Sequence, residues 1–170
     1  MDLHDRSAEA RRVPDQVLAE IPTTCLGMIS RLASRAATRV FAAHLAGLDL
    51  QANQFAILVV VRLHGGEGVA ALAERLDLDA SALTRNLQVL ERKGYVAAEG
   101  GRGRGGKRLA LTEAGEAVLT EAWRRWRLAQ AALVSELGET DAGALRRLLQ
   151  RFENAAGRAE RQVRLGLKGS

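Results

Sequence analysis

The spacing of apolar residues along the chain predicts a mainly helical protein. Between Pro22, which suits the first turn of a helix, and Leu45, apolar residues recur every three or four positions and so share one helix face. The same spacing appears in a segment that begins at Thr112 and in a last segment over about 140–163. Gly138 separates these two segments, and glycine commonly ends a helix. We therefore predict long helices near both ends of the chain.

The middle of the chain predicts three shorter helices followed by a β-hairpin. Asp79 is a suitable N-cap for the third of these helices, and Gly94 is a suitable residue to end it. Two short apolar runs flank a glycine-rich stretch, which is typical of two strands joined by a loop. The expected elements are helices over about 51–63, 69–76 and 80–93 and strands over 95–98 and 109–111.

The predicted organisation is an N-terminal extension followed by a single domain. Residues 1–20 mix charges without a clean period and include Pro14, so we expect a frayed extension that can hold one short helix. Residues 21–168 form the domain. Its terminal helices, within 21–48 and 113–165, are too long for one compact domain to cover from both sides. A second copy of the chain is the simplest cover, so we expect a homodimer.

The composition is typical of a soluble globular protein, because 47% of the 170 residues are hydrophobic and 26% are charged. The longest stretch without a charge, from Leu50 to Val61, is shorter than the 18 residues or so that a bilayer requires, so we expect no membrane span. The first residues lack the apolar run of a secretory signal. Cys25 is the only cysteine and cannot form an internal disulfide, so a reducing, cytoplasmic location is expected.

The excess positive charge lies in one short segment. The formal net charge is +5 at pH 7, and the segment between residues 85 and 108 accounts for it: seven basic residues against Glu91 and Glu99 give 7 − 2 = +5. A charge run by itself is equally compatible with a solvated surface kept for solubility. The basic residues of the segment are Arg85, Arg92, Lys93, Arg102, Arg104, Lys107 and Arg108.

The predicted helix over 80–93 has two different faces. Leu83, Leu87 and Leu90 are spaced four and three apart and are expected to point inward. The opposite face combines hydroxyl, guanidinium and amide groups, which can bind phosphates and base edges in a DNA major groove. An ordinary amphipathic helix with a hydrated outer face is the alternative. The residues of this polar stripe are Ser81, Thr84, Arg85, Gln88 and Arg92.

The hairpin that follows favours the DNA-binding interpretation. Its loop carries Arg102 and Arg104 among five glycines, with Lys107 and Arg108 directly after it. A helix-turn-helix followed by a cationic hairpin, or wing, can place its helix in the major groove and its wing against the backbone or minor groove. We therefore predict that the polar stripe and these four wing residues contact double-stranded DNA.

The segments ALAERL, SALTRNLQVLERKGYV and LALTEAG resemble winged helix-turn-helix regulators of the MarR type. The resemblance extends over about 24–137 and assigns 51–112 to the winged helix-turn-helix. It implies a homodimer, joined by the terminal helices, that represses genes until a small molecule or oxidation releases it from operator DNA. The wing departs from the family pattern, because Gly103 and Gly105 stand where an aspartate and an arginine are common.

The resemblance also implies an effector pocket between the dimerising helices and the winged domain. Arg31, Arg35 and Arg39 recur every four residues on the first long helix, and such a row repels itself unless something neutralises it. An anionic aromatic or carboxylate effector bound by Arg31, Arg35 and His44 would do so. Pairing of these arginines with acidic residues of the partner subunit is the alternative.

Cys25 provides a second candidate switch. One branch of the family senses organic peroxides through a cysteine near this position, so the resemblance includes a thiol-based redox sensor among the possible functions. Cys25 lies about two residues upstream of that position, and the tyrosines that partner the thiol in that branch are missing. A buried, inert cysteine is the alternative.

Catalysis is not expected. His4, His44 and His64 lack metal-ligand spacing, and no nucleophile elbow, phosphate-binding loop or dinucleotide loop occurs, so we predict no metal and no cofactor.

The alternative to a sequence-specific regulator is an architectural protein that binds DNA without sequence preference. Both would bind DNA less tightly at high salt, but only a regulator would prefer one sequence strongly.

Overall fold

The protein is mainly helical and carries a small antiparallel sheet, as the sequence predicts. A computed structural model describes residues 12–99 and 108–167, and these ranges contain seven helices and two strands. The helices are α1 (Asp15–Thr24), α2 (Leu26–Leu45), α3 (Ala52–His64), α4 (Val69–Arg75), α5 (Ala80–Arg92), α6 (Glu113–Leu137) and α7 (Glu139–Leu167). The strands are β1 (Val96–Glu99) and β2 (Arg108–Leu111). None of the helices within these ranges has the length and hydrophobicity of a membrane span.

The chain divides into two compact units, residues 1–43 and 44–170. The described part of the first unit, 12–43, consists of α1 and most of α2 and has no buried residue. Its large apolar side chains are exposed to solvent instead. They are Val13, Val17, Leu18, Ile21, Leu26, Met28, Ile29 and Leu32.

The N-terminal helices differ from the prediction that one helix starts at Pro22. Pro22 lies inside α1, and α2 begins only at Leu26. Proline has no N–H to donate to the carbonyl four residues earlier, so it weakens the last turn of α1. The break falls at Cys25, whose φ and ψ are −72° and 107°, outside the helical region. Its N–H donates to the Ile21 carbonyl at 2.9 Å, and its own carbonyl accepts from the Ile29 N–H at 3.0 Å.

The second unit is organised around an apolar core beneath the helix-turn-helix. Leu83, Leu87 and Leu90 on α5 are buried, which confirms the predicted inward face. They pack in one cluster with buried residues from α3, α4, both strands and α6. The other members of this cluster are Leu45, Leu50, Ile57, Leu58, Val61, Leu72, Ala73, Val96, Leu109 and Ala122.

Backbone geometry sets both ends of α5. Asp79 is the N-cap, as predicted, and its carbonyl accepts from the Leu83 N–H at 3.0 Å, although its side chain makes no capping hydrogen bond. Asp77, in the turn before it, has a φ of 51°, a left-handed conformation that costs most residues energy. Gly94 follows the helix with a φ of 72°, so the predicted glycine stop is confirmed.

The two strands are joined to the helices by close backbone contacts. β1 and β2 pair antiparallel, with Val96 opposite Leu111. Beyond this ladder, the Leu109 N–H donates to the Gly65 carbonyl at 2.8 Å, and the Thr112 N–H donates to the Tyr95 carbonyl at 3.1 Å. The base of the hairpin is therefore fixed to the end of α3 and to the start of α6.

Candidate nucleic-acid interface

The polar stripe of α5 is exposed along its whole length. Since the leucines of the opposite face are fully buried, α5 can turn only this stripe towards a ligand. A recognition helix in the major groove requires such a row of exposed polar side chains on one side of the helix. The exposed residues of the stripe are Ser81, Thr84, Arg85, Gln88 and Arg92.

The polar side chains of α5 differ in whether they already have a hydrogen-bond partner within the protein. The Thr84 hydroxyl donates to the Ala80 carbonyl at 2.7 Å, so its proton is already used within the helix. The Ser81 hydroxyl makes no hydrogen bond with any described residue, which leaves it available to a phosphate oxygen. Asn86 accepts from the Asn53 side chain at 3.2 Å and thereby links α5 to the first turn of α3.

Lys93 belongs to the basic segment but faces the protein. Its ammonium group donates to the Asp49 carboxylate at 2.7 Å and to the Asp49 carbonyl at 2.9 Å. Only 22% of its side chain is exposed. The lysine therefore holds the C-terminal end of α5 against the connector that follows α2.

The same connector is held from a second side by α6. Arg125 donates to the Ala46 carbonyl at 2.7 Å and to the Glu121 carboxylate at 2.9 Å. The hydrogen bond from Arg125 keeps the pKa of Glu121 below its usual value, and the charges of Arg125 and Arg124 add to this effect. Gly47 lies between the two anchor points with a φ of 82°, which favours glycine.

If α5 contacts DNA, replacement of Lys93 with methionine is expected to weaken DNA binding by no more than about five-fold, because an ion pair of this exposure contributes up to about 1 kcal/mol. The salt dependence of DNA binding should stay unchanged, because Lys93 would contact no phosphate. Arg92→Met is the matched control. Loss of one phosphate contact should make the negative slope of log K against log salt shallower by about 0.9. Titration of DNA with both variants at several salt concentrations measures these slopes. An equally shallow slope for Lys93→Met would indicate that Lys93 contacts a phosphate.

The wing lies partly outside the described residues. Arg108 begins β2 opposite Glu99 in the strand register and is exposed. The predicted contacts Arg102, Arg104 and Lys107 lie outside the described residues, as do Gly103 and Gly105.

Between α3 and α4, an ion-pair cluster braces the loop next to the hairpin base. Glu67 accepts two hydrogen bonds from the Arg75 guanidinium, at 2.9 and 2.8 Å, and its Oε1 lies 3.3 Å from His64 Nδ1. The hydrogen bonding from Arg75 lowers the pKa of Glu67, and the same contact raises the pKa of Arg75. The charges of Glu67 and Arg75 therefore neutralise each other.

An apolar cleft lies between α3 and α6, within the second unit. Its volume is about 410 Å³. At its edge, Arg62 Nε lies 2.6 Å from Glu116 Oε1. The sequence analysis named none of the residues that line this cleft, although the apolar residues at positions 55, 59 and 63 recur every four residues on one side of α3. The lining residues are Phe55, Val59, Arg62, Leu63, Leu119, Thr120 and Trp123.

The residues predicted to bind an effector do not line this cleft. Arg31, Arg35 and Arg39 are exposed on α2 and form no ion pair with any described residue. His44 is half-buried near the end of α2. Their assignment to an effector site stays a prediction.

Cys25 is half-buried at the junction of α1 and α2 rather than within the first long helix, because the helix is broken there. Across the described ranges, no group of three or more His, Cys, Asp or Glu side chains is arranged to hold a metal ion. Redox sensing at Cys25 also stays a prediction.

Comparison with known proteins identifies the family. The MarR family sequence model matches residues 47–105. A crystal structure of the M. tuberculosis transcriptional regulator MosR in complex with DNA superposes with a TM-score of 0.70 and 31% identity, over 79% of this chain and 98% of MosR. A comparison with curated proteins gives no match.

Two more distant structures share the fold. A mutant of MarR from E. coli complexed with operator DNA has a TM-score of 0.71 and 24% identity, over 78% of this chain and 96% of that chain. PcaV from Streptomyces coelicolor in complex with its natural ligand has a TM-score of 0.70 and 20% identity, over 79% and 96%. With the exposed stripe of α5 and the adjoining hairpin, the family model and the match to MosR establish that the chain belongs to the MarR family of winged-helix, DNA-binding transcriptional regulators.

Proposed function

We propose that the protein is a sequence-specific repressor that binds a pseudo-palindromic operator as a homodimer and is released by a small-molecule effector. The observation that carries the proposal is the arrangement of α5, with five polar side chains exposed over three fully packed leucines. An amphipathic helix kept only for solubility does not require this set of groups beside a cationic hairpin.

The chemistry of the stripe suits base readout at its centre. The Arg85 guanidinium can donate two hydrogen bonds to a guanine, and the Gln88 amide can pair with an adenine. Ser81 near the N-terminus of α5 and Arg92 in its last turn are placed for phosphates, which fix the register of the helix on the duplex. Arg102, Arg104, Lys107 and Arg108 would then follow the backbone or the minor groove.

Exposed apolar surface supports the homodimer. The first unit exposes eight large apolar side chains, and α7 exposes Leu145, Leu148 and Leu149. Exposed apolar residues that recur along a helix are typical of a protein interface in soluble proteins. Two subunits related by a two-fold axis would present two α5 helices about one DNA turn, or about 10 base pairs, apart.

The cleft between α3 and α6 supports control by a small molecule. It is concave and almost wholly apolar, as small-molecule sites commonly are, and it lies on the helices that carry the winged domain. PcaV, a structural neighbour, is described in complex with its natural ligand. We assign the effector site to this cleft in preference to Arg31, Arg35 and His44.

Footprinting of the purified protein on the DNA upstream of its own gene tests the proposal. We expect protection of an inverted repeat, with a preference over random DNA of about 10³-fold or more. Sedimentation of the same sample should give a dimer at micromolar concentration. Equal affinity for all sequences would instead identify an architectural DNA-binding protein, and a monomer would contradict the two-fold arrangement.

A further inference from the structure

We infer that α7 carries a second DNA-binding surface, which holds the phosphate backbone of a duplex other than the one on α5. This surface, the α7 stripe, consists of four exposed arginines. They are spaced four, seven and three residues apart and so lie along one side of the helix. The inference goes beyond the proposed function, because it requires neither an operator nor an effector. The residues of the α7 stripe are Arg147, Arg151, Arg158 and Arg161.

Most other arginines in the described part of the second unit already have a partner within the protein. Arg127 lies 5.2 Å from the centre of the Trp123 ring, and Arg146 Nε donates to the Ala142 carbonyl at 3.3 Å. Five more form ion pairs with glutamates on their own or a neighbouring element. These five are Arg62, Arg75, Arg124, Arg125 and Arg164.

The remaining arginines of the second unit make no hydrogen bond, ion pair or ring contact with any described residue, and they occur in two places. Arg85, Arg92 and Arg108 belong to the predicted DNA-binding surface on α5 and the wing. The others are the four residues of the α7 stripe. Guanidinium groups without a partner in the chain are thus found on the predicted DNA-binding surface and on α7, which indicates an external anionic partner for α7 as well.

The sequence of α7 leaves the charge of this stripe unbalanced. No aspartate or glutamate lies three or four positions from any of its arginines, the spacing at which side chains on a helix meet. Glu160 instead binds Arg164, with 2.6 Å between Oε1 and the guanidinium. The pairs 147/151 and 158/161 are neighbours of like charge, which destabilise an isolated helix. A bound anion would remove this repulsion.

The apolar side of α7 leaves the stripe accessible in a dimer. Leu145, Leu149 and Val163 are exposed, and at 3.6 residues per turn each lies about 160° around the helix from Arg147. A second subunit that covers these apolar residues, as proposed above, would leave the arginines facing solvent. The stripe and the proposed dimer interface therefore do not compete for the same side of α7.

The length of the stripe favours a polymer over a small anion. From Arg147 to Arg161 it extends about 21 Å at 1.5 Å per residue, which is too far for one small anion to contact all four guanidinium groups. A DNA duplex carries one phosphate charge for about each 1.7 Å of its axis, so it offers a charge to every arginine along this distance. Phosphate contacts carry no sequence information, so this binding would be independent of sequence.

The position of α7 favours a separate duplex. The base of the hairpin adjoins the start of α6, and α7 begins after the end of α6, which is about 36 Å away at 1.5 Å per residue. A duplex on α5 and the wing would therefore lie at the opposite end of α6 from the start of α7. The dimer would then bridge two DNA segments.

Capture of a second duplex tests the inference. A random-sequence duplex fixed to beads retains the full-length protein, and a fluorescent random-sequence duplex is then added. We expect the wild-type protein to capture it. The double variant Arg151→Gln, Arg158→Gln should still bind the first duplex but bind the second about ten-fold more weakly, because two charge contacts are lost. The salt dependence of capture should become shallower by about 1.8 for each stripe engaged.

Arg124→Gln combined with Arg164→Gln is the matched control, because it removes the same two charges from arginines that already pair with glutamates. This control should retain capture. Asn154→Glu tests the stripe without the loss of any arginine. The new carboxylate would lie three residues after Arg151 and four before Arg158, so it should neutralise both and weaken capture to a similar extent. Circular dichroism should show that this variant is at least as stable to heat as the wild-type protein.

Four results would overturn the inference. The first is wild-type protein that stays on the beads without capturing the second duplex, and the second is equal capture by the double variant. The third is a double variant that dissociates into monomers on dilution, which would pair the stripe with acidic residues of the partner subunit. The fourth is tighter binding of fluorescent polyglutamate than of the second duplex, which would indicate an acidic protein partner. Because both duplexes have random sequence, a footprint without a protected operator would overturn the proposed function and leave this inference standing.

Discussion

Arg85→Ala is expected to lower the affinity for the operator by about 5- to 150-fold, the range that one bidentate base contact of about 1–3 kcal/mol provides. Arg85 lies near the middle of the exposed face of α5, on the side opposite the buried Leu83 and Leu87. Its guanidinium can therefore reach a base edge without any rearrangement of the core. Affinity for random DNA should fall much less, because phosphate contacts carry most of the non-specific binding.

Arg85→Lys is the matched variant that separates charge from geometry. Lysine keeps the positive charge but lacks the planar pair of donors, so base preference should be lost while the salt dependence is retained. Arg158→Ala removes one exposed charge from α7 and serves as the control for net charge. Competition between operator and random duplexes measures the specificity ratio. An unchanged ratio in Arg85→Ala would contradict the assignment of α5 as the recognition helix.

Gly115→Ala is expected to lower the free energy of unfolding by about 1–3 kcal/mol or more, as overpacking of a closely packed site does. A Cβ atom at this position would lie 2.0 Å from the Tyr95 carbonyl oxygen and 2.9 Å from its carbon. Both atoms belong to backbone that precedes β1, so no side chain can rotate away. Relief would require the hairpin to move from the start of α6.

Operator binding should fall together with stability, because the wing would be displaced. Thermal unfolding at fixed protein concentration measures the change, and each kcal/mol corresponds to a shift of about 2–4 °C for a domain of this size. Gly143→Ala on α7 is the matched control, since a Cβ there meets only the flexible end of Arg147 at 3.6 Å. The control should be neutral or slightly stabilising. If Gly115→Ala were as stable as the control, the backbone at Tyr95 could move away from α6 at little cost, which would contradict this prediction.

These two predictions differ in how far they depend on long-range contacts. The Arg85 prediction follows from the period of α5 alone, since leucines at 83, 87 and 90 require the polar residues between them to face outward. The Gly115 prediction needs the position of Tyr95, which is twenty residues earlier in the chain. Nothing in the local sequence around Gly115 indicates that backbone lies against it.

The sequence determined the order of the elements, the buried and exposed faces of α5, and the location of the hairpin, because these depend on local spacing and on glycine stops such as Gly94. The tertiary structure decided that Lys93 binds Asp49 and not a surface ligand, and that Arg62 is balanced by Glu116. It also decided that α3 and α6 border an open apolar cleft. Periodicity records which side of one helix is apolar. It does not record which distant residue meets that side, and partners separated by forty or fifty positions are brought together only when the whole chain packs.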